Sequence, residues 1–213
     1  MSTPTLFGAA YSVYTRSARL TLAEKGIDYR FDEVDIFAPG GPPAAHLQRQ
    51  PFGKIPAFEH DALRLYETAA ICRYVDEAFD GPALQPATPA GRAVMAQVIG
   101  ICDSYLYRAG VWDIYVERIG VPKRGGTSDE AKIDKAIPTV RKALQEMARL
   151  SGDRPFIAGP DLSLADLHAY PMTTLLRLAP EGRDLLVGVP AIEAWHQRIS
   201  ARASSVKTRF AVE

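Results

Sequence analysis

Four short stretches of the chain carry side chains able to do chemistry, three of them at junctions between extended and helical residues. In Tyr11-Ser12-Val13-Tyr14, a serine stands between the apolar run at 5–8 and a helical pattern that opens at Val13. A hydroxyl there has two roles open to it. It can cap the helix, a common job for serine, or it can help the positive helix end hold an anion. In Gln50-Pro51-Phe52-Gly53-Lys54-Ile55-Pro56-Ala57-Phe58, Pro56 directly precedes a run with edge-strand character. Either it leads the strand in the ordinary trans form, or a cis bond turns the Ile55 main chain outward, leaving its N–H and C=O to pair with an extended ligand. In Glu67-Thr68-Ala69-Ala70-Ile71, Thr68 is placed as a helix N-cap. The N–H groups behind it could hold a carboxylate while Glu67 binds an ammonium group, so that one dipeptide would read an α-amino acid head. The plain alternative is a capped helix with one exposed acid. In Leu162-Ser163-Leu164-Ala165-Asp166-Leu167, Ser163 and Asp166 have capping-box spacing, and Leu162 and Leu167 have the spacing of a hydrophobic staple. That arrangement starts a helix and needs no ligand.

The elements that must position these groups follow from periodicity. Residues 5–8 read as a strand; Tyr14, Ala18 and Leu22 at i, i+4 and i+8 predict a helix over 13–25, stopped by Gly26. Residues 29–36 are rich in aromatic and β-branched types and read as a second strand, followed by a Pro/Gly loop at 37–43 and a short helix at 44–49. Residues 57–59 and 62–66 flank a His60-Asp61 turn and read as a hairpin, and 68–79 is helical. The first eighty residues thus run βα, βα, ββα. Prolines at 82, 86 and 89 punctuate a connector, beyond which every pattern is helical: 92–118, bent near Gly110; 129–150, with Pro138 a candidate kink; 163–178; and 190–203. The expected organisation is an α/β domain at 1–80, a linker at 81–90 and an all-helical domain at 91–213.

Composition removes several function classes. Twenty-five Lys and Arg balance twenty-five Asp and Glu, which argues against a dedicated nucleic-acid binder. No apolar run approaches the ~20 residues of a membrane span, and the N-terminus lacks a basic segment followed by an apolar core. Cys72 and Cys102 lie in apolar helical surroundings and read as reduced buried thiols of a cytoplasmic protein. No phosphate loop, dinucleotide fingerprint, H-E-x-x-H, G-x-S-x-G or C-x-x-C occurs, and the four histidines lack metal-ligand spacing, so no metal is expected.

The order and spacing of these stretches resemble the glutathione transferase superfamily over nearly the whole chain. Residues 6–12 look like its first strand and active-site turn, and 51–58 like the segment around an invariant cis proline. Glu67-Thr68-Ala69-Ala70-Ile71-Cys72-Arg73-Tyr74 looks like the Glu-Ser-x-x-Ile signature, with threonine for serine. Phe156-Ile157-Ala158-Gly159 with 162–166 looks like the helical-domain capping box, and the last helix, through Pro190 and Trp195 to Arg198, is also similar. The serine-bearing turn is closest to the phi class and related bacterial proteins.

The resemblance implies a thioredoxin-like N-terminal domain, an all-α C-terminal domain, and a homodimer with a glutathione site on each subunit. It implies that Ser12 hydrogen-bonds the glutathione sulfur, although the phenols of Tyr11 and Tyr14 could also donate to a thiolate. Ile55, beside Pro56, would pair its main chain with the cysteinyl unit, Lys54 would reach the glycyl carboxylate, and Glu67 and Thr68 would hold the γ-glutamyl head. One departure stands out: Gly40, Gly41, Pro42 and Pro43 occupy the place of the phi-class basic residues, His46 lies several positions later, and the weight on Lys54 rises. The family builds its electrophile site from the first long helix of the helical domain and the chain's end. Tyr107, Val111, Trp112 and Tyr115 are the candidates, with Phe210 closing the pocket; such a stripe can equally be core. The implied activity is conjugation of the glutathione thiolate to small apolar electrophiles. A glutathione-dependent isomerase and a non-catalytic binder of glutathione or apolar ligands are the alternatives. Redox chemistry is disfavoured because both cysteines lie far from the turn.

Overall fold

The computed structural model describes residues 2–213. The chain forms two compact units: residues up to Ala83 together with Arg202–Glu213, and Leu84–Ala201.

In the first unit a mixed sheet has the order β2-β1-β3-β4, built from β1 (Thr5–Gly8), β2 (Arg30–Glu33), β3 (Ala57–His60) and β4 (Leu63–Tyr66). β1 pairs parallel to β2 and antiparallel to β3, and β3 and β4 form a hairpin. Its turn is Asp61-Ala62, one residue later than expected, with Asp61 at φ 52°, a left-handed conformation that aspartate tolerates better than most residues. β2 is shorter than the 29–36 run because Asp35 accepts the Phe37 N–H at 2.9 Å and turns the chain out of the sheet.

Helix α1 (Val13–Glu24) packs its buried residues Val13, Ala18, Leu20 and Leu22 inward. It approaches β1 so closely that a Cβ on Gly8 would stand 2.4 Å from Thr15 Oγ1. Gly26, at φ 69°, ends it: the Gly26 and Ile27 N–H groups return to the Ala23 and Leu22 carbonyls at 3.1 and 2.9 Å, the Schellman pattern. Helices α2 (Ala44–Leu47) and α3 (Thr68–Ala78) complete the expected βα, βα, ββα order.

In the second unit, α4 (Pro89–Ile101) runs without interruption into a helical segment, Cys102–Gly120, whose hydrogen bonds are in the wider i→i+5 register, and then into α5 (Val121–Lys123). The change of register falls at Cys102, and not at Gly110, where sequence placed a bend. Gly110 is buried instead, and a Cβ there would stand 3.3 Å from Leu106 Cδ1 and in ordinary contact with Val140 and Leu176. Helix α6 (Glu130–Ser151) continues through Pro138. Helices α7 (Leu164–Leu178), α8 (Pro180–Val187) and α9 (Pro190–Ser200) close the bundle around Leu106, Ile114, Leu144, Met172, Leu176 and Trp195. Leu84 is already buried, and its carbonyl accepts the Leu164 N–H at 2.9 Å.

The last twelve residues correct the expected course of the chain. Sequence grouped them with the helices at 91–213, yet Arg202–Glu213, including α10 (Ala203–Lys207), belongs to the first unit. Arg202 clasps Glu24 of α1 with two 2.7 Å bonds, and Ser204 donates to the same carboxylate. Arg16, fully buried in α1, pairs with Glu213, donates to the Ser205 carbonyl at 3.3 Å, and lies 4.3 Å from the Phe210 ring centroid. Phe210 is therefore a buried packing residue on α1.

Candidate functional site

The strand register brings three of the four chemically promising stretches to one end of the sheet. Phe7 stands opposite Ala57, and Ala57 opposite Tyr66. One step further along each ladder lie Gly8 and the turn to Ser12, Lys54-Ile55-Pro56, and Glu67-Thr68. β1, β2 and β4 all point their carboxyl ends to this edge, where open α/β sheets place ligands.

At the first junction Ser12 is the N-cap of α1, its Oγ accepting the Thr15 N–H at 3.3 Å. A hydroxyl that accepts still has its own proton to donate, so capping and anion binding are compatible in this one group. The neighbouring phenol is committed elsewhere. Tyr11 donates to Asp35 Oδ1 at 3.0 Å, and burial together with that carboxylate pushes its pKa well above the ordinary tyrosine value.

At the second junction the Ile55–Pro56 bond is cis. The Ile55 side chain is buried with Phe7, Ala9, Val34 and Ala57, while its N–H and C=O have no partner within the chain among the described residues. The Lys54 side chain is exposed and makes no ion pair there.

At the third junction the cap position differs from expectation. Glu67, not Thr68, precedes the helix, its carbonyl accepting the Ile71 N–H at 3.0 Å; Thr68 is the first helical residue and is buried. Glu67 holds φ 68°, a left-handed conformation that costs a glutamate about 1–3 kcal/mol and is found where surrounding structure or a ligand site demands it. Its carboxylate is exposed and makes no side-chain cap bond.

Sequence reasoning passed over two partners of Tyr11, the residue next to Ser12. Phe37, exposed, lies 5.9 Å from the Tyr11 ring, and Asp35 ties the two together through the Tyr11 hydroxyl and the Phe37 N–H. The only signal available was an aromatic in a Pro/Gly loop. The fourth stretch is structural: the reciprocal capping box forms, and Asp166 accepts from the Ser163 N–H and hydroxyl at 2.8 Å, the Ile157 N–H at 2.9 Å and Trp195 Nε1 at 2.8 Å. Burial raises the Asp166 pKa, and these donors oppose it.

The electrophile candidates all lie on the i→i+5 segment of the second unit. That register puts Tyr107 and Trp112 one turn apart, and the indole hydrogen-bonds the phenol. Tyr107, Trp112 and Tyr115 are half-buried, whereas Val111 is 5% exposed and packs inward. A groove of about 490 Å³ in the same unit is lined instead by Tyr105, Arg108, Asp113, Lys132 and Lys135. Among the described residues no cluster of metal-ligating side chains occurs, and no helix is long and apolar enough to cross a membrane.

A mixed four-stranded sheet whose carboxyl edge gathers a capping hydroxyl, an unpaired main-chain segment and a free acid, followed in the chain by a helical bundle, defines a thioredoxin-like domain joined to an all-α one. Comparison with known proteins gives the family. Residues 6–83 match the model of the glutathione S-transferase N-terminal domain and 130–198 that of the C-terminal domain. The chain is similar to glutathione S-transferase 1 of Zea mays, 30% identical over 95% of this chain and 94% of the relative. It superposes on glutathione transferase F7 from Populus trichocarpa with TM-score 0.85 at 29% identity, covering 97% of each chain. With glutathione S-transferase I from maize in complex with an atrazine glutathione conjugate, the TM-score is 0.84 at 29% identity, over 97% and 96% of the two chains. The chain belongs to the glutathione S-transferase family, with phi-class plant enzymes among its relatives: it is an enzyme, and glutathione is its co-substrate.

Proposed function

We propose that Ser12 stabilises the glutathione thiolate for attack on a small apolar electrophile. The observation that carries this is the division of labour at the turn: the Ser12 oxygen is used by the helix while its proton is left over, and the Tyr11 phenol is spent on Asp35. A free thiol has a pKa of about 8.5, so most is protonated at neutral pH, and the thiolate is the nucleophile. Lowering it by one unit takes about 1.4 kcal/mol of preferential anion stabilisation. A hydrogen bond to a charged acceptor contributes roughly 1.5–3 kcal/mol, and the end of α1 adds to it. One to three units are then accessible, roughly, with no general base.

The rest of the tripeptide is held in the order of the three junctions. The Ile55 main chain, set by Pro56, pairs with the cysteinyl unit; Glu67 takes the γ-glutamyl ammonium, and the α3 N-terminus at Thr68 takes its carboxylate; Lys54 reaches the glycyl carboxylate. In the helical unit, Tyr107, Trp112 and Tyr115 are assigned to the electrophile, with Val111 behind them. Atrazine-type compounds head the panel to be assayed because a maize relative binds such a conjugate.

Thiolate absorbance of bound glutathione, titrated with pH in wild type and in Ser12→Ala, tests the central claim. The expected result is a depressed thiol pKa that returns toward the free value in the variant. An unchanged titration in Ser12→Ala, with loss in Tyr11→Phe or Tyr14→Phe, would overturn it.

We further assign the protein to a homodimer in the cytoplasm. The dimer is supported by an exposed apolar patch of Leu47, Phe52 and Tyr66, in which Phe52 is 69% exposed and meets Tyr66 edge to face at 6.1 Å. Light scattering of wild type and Phe52→Ser decides it: a wild-type monomer would refute the dimer. The compartment is supported by two unpaired cysteines and is checked by fractionation.

A further inference from the structure

We infer that His46 is a positioning residue for glutathione: a single hydrogen bond from its ring aims the peptide N–H that the cysteinyl unit meets. The inference rests on the assignment of the Ile55 main chain given above. His46 lies on α2, is 2% exposed, and its Nε2 sits 2.7 Å from the Lys54 carbonyl oxygen. A carbonyl can only accept, so Nε2 carries the proton. Nδ1 is buried with no hydrogen-bond partner among the described residues, so this bond is the ring's whole polar engagement.

What that bond controls follows from peptide geometry. The Lys54 C=O and the Ile55 N–H belong to one rigid plane. That peptide is trans, since the cis bond is the next one along, Ile55–Pro56. In a trans peptide the carbonyl and the N–H point to opposite sides. Drawing the carbonyl inward onto a buried imidazole turns the Ile55 N–H away from it. That N–H has no partner in the chain among the described residues. The preceding peptide is fixed from behind as well: the Lys54 N–H donates at 3.1 Å to Oε1 of buried Gln50. The Ile55 side chain is anchored in the apolar cluster with Phe7 and Val34. The binding main chain is thus held by groups assigned no contact with the ligand. Such support matters because recognition requires placement to within ~0.5 Å and 10–20°.

The test separates this hydrogen bond from packing and from the site assignment itself. Glutathione affinity is measured by calorimetry, and KM and kcat by turnover, for His46→Leu, His46→Gln and the double variant Glu67→Gln/Thr68→Ala. His46→Leu lacks the donor and is expected to weaken glutathione binding about five- to ten-fold, in KM and not in kcat at saturation. His46→Gln, whose amide nitrogen can take the place of Nε2, is expected to restore affinity to within about two-fold. Equal losses in His46→Leu and His46→Gln would mean that the ring acts by volume, and the inference falls. No loss in His46→Leu, with a clear loss in the double variant, would remove the inference and leave the site assignment standing. No loss in either would remove both. Should His46→Leu fail to fold, His46→Asn, whose shorter amide does not reach Lys54, takes its place against His46→Gln with the same criteria.

Discussion

Ser12 and Glu67 illustrate how one residue's local geometry decides its chemical use. Ser12 keeps a proton to donate because its cap bond uses only its lone pair, so Ser12→Ala is expected to lower kcat by at least ten-fold while glutathione affinity changes little. Glu67 and Thr68 act on binding, so Glu67→Gln/Thr68→Ala should show the opposite split: an affinity loss of about ten-fold or more, corresponding to at least ~1.4 kcal/mol, with kcat retained at saturation. Titration calorimetry and steady-state kinetics on both variants separate the two roles, and identical profiles would contradict them. The thiols make a third case. Burial pushes the Cys72 thiol up to about 12, against a Thr21 hydrogen bond, and burial pushes Cys102 up further still. Both are protonated at neutral pH and enclosed. Iodoacetamide at pH 8 should label neither in the folded protein and both in denaturant; rapid native labelling would show that the helices open.

At the scale of elements, the start of α7 is tied together through one side chain. Asp166 is buried and receives four donors from three parts of the helical unit, so removing one leaves a desolvated oxygen less satisfied. Trp195→Phe keeps the aromatic volume and deletes one donor; it should cost about 1.5–3 kcal/mol, as for hydrogen bonds to charged groups. Ser163→Ala should cost about 0.5–2 kcal/mol. Denaturant midpoints measure both, and activity per folded molecule should stay near wild type. A Ser163→Ala protein of native stability but low specific activity would mean that this stretch touches substrate. The i→i+5 segment is the other notable element. It runs over nineteen residues, whereas this register usually appears as single turns, and it carries every electrophile candidate.

At the scale of the whole molecule, the chain leaves its first unit after Ala83 and returns to it at Arg202. The returning segment is held to α1, the helix that begins at Ser12, by Arg202 and Ser204 on Glu24 and by Glu213 and Phe210 on Arg16. Burial opposes ionisation of Glu24, but the hydrogen bonds from Arg202 and Ser204 outweigh it and hold its carboxyl below the ordinary 4.5. A depressed carboxyl pKa contributes stability that is present above the unfolded value and lost as pH falls through the folded one. The tail should therefore loosen below about pH 4.5, seen as faster hydrogen exchange across 202–213, and Glu24→Gln should show loosening already at neutral pH. Exchange in that segment that is independent of pH in wild type would contradict the linkage.

What the sequence determined by itself is whatever short-range rules enforce: Gly26 as a helix stop, the Ser163–Asp166 box, the hairpin near Asp61, the order βα, βα, ββα, and three junctions holding Ser12, Ile55 and Glu67. Each rests on residues within a few positions of one another, where capping and periodicity operate. Where local signals compete, the tertiary structure decided. The Asp35 turn cut β2 short, the cap moved from Thr68 to Glu67, and the helical register changed at Cys102 and not at Gly110. The longest-range facts had no sequence signal. Arg16 meets Glu213 across 197 positions, and no periodicity foretells such a pair, because it exists only once packing has closed the intervening chain. The same holds for His46: it lies eight residues from Lys54 and several positions past the place of the phi-class basic residues, and only the folded α2 brings its imidazole to the carbonyl it holds.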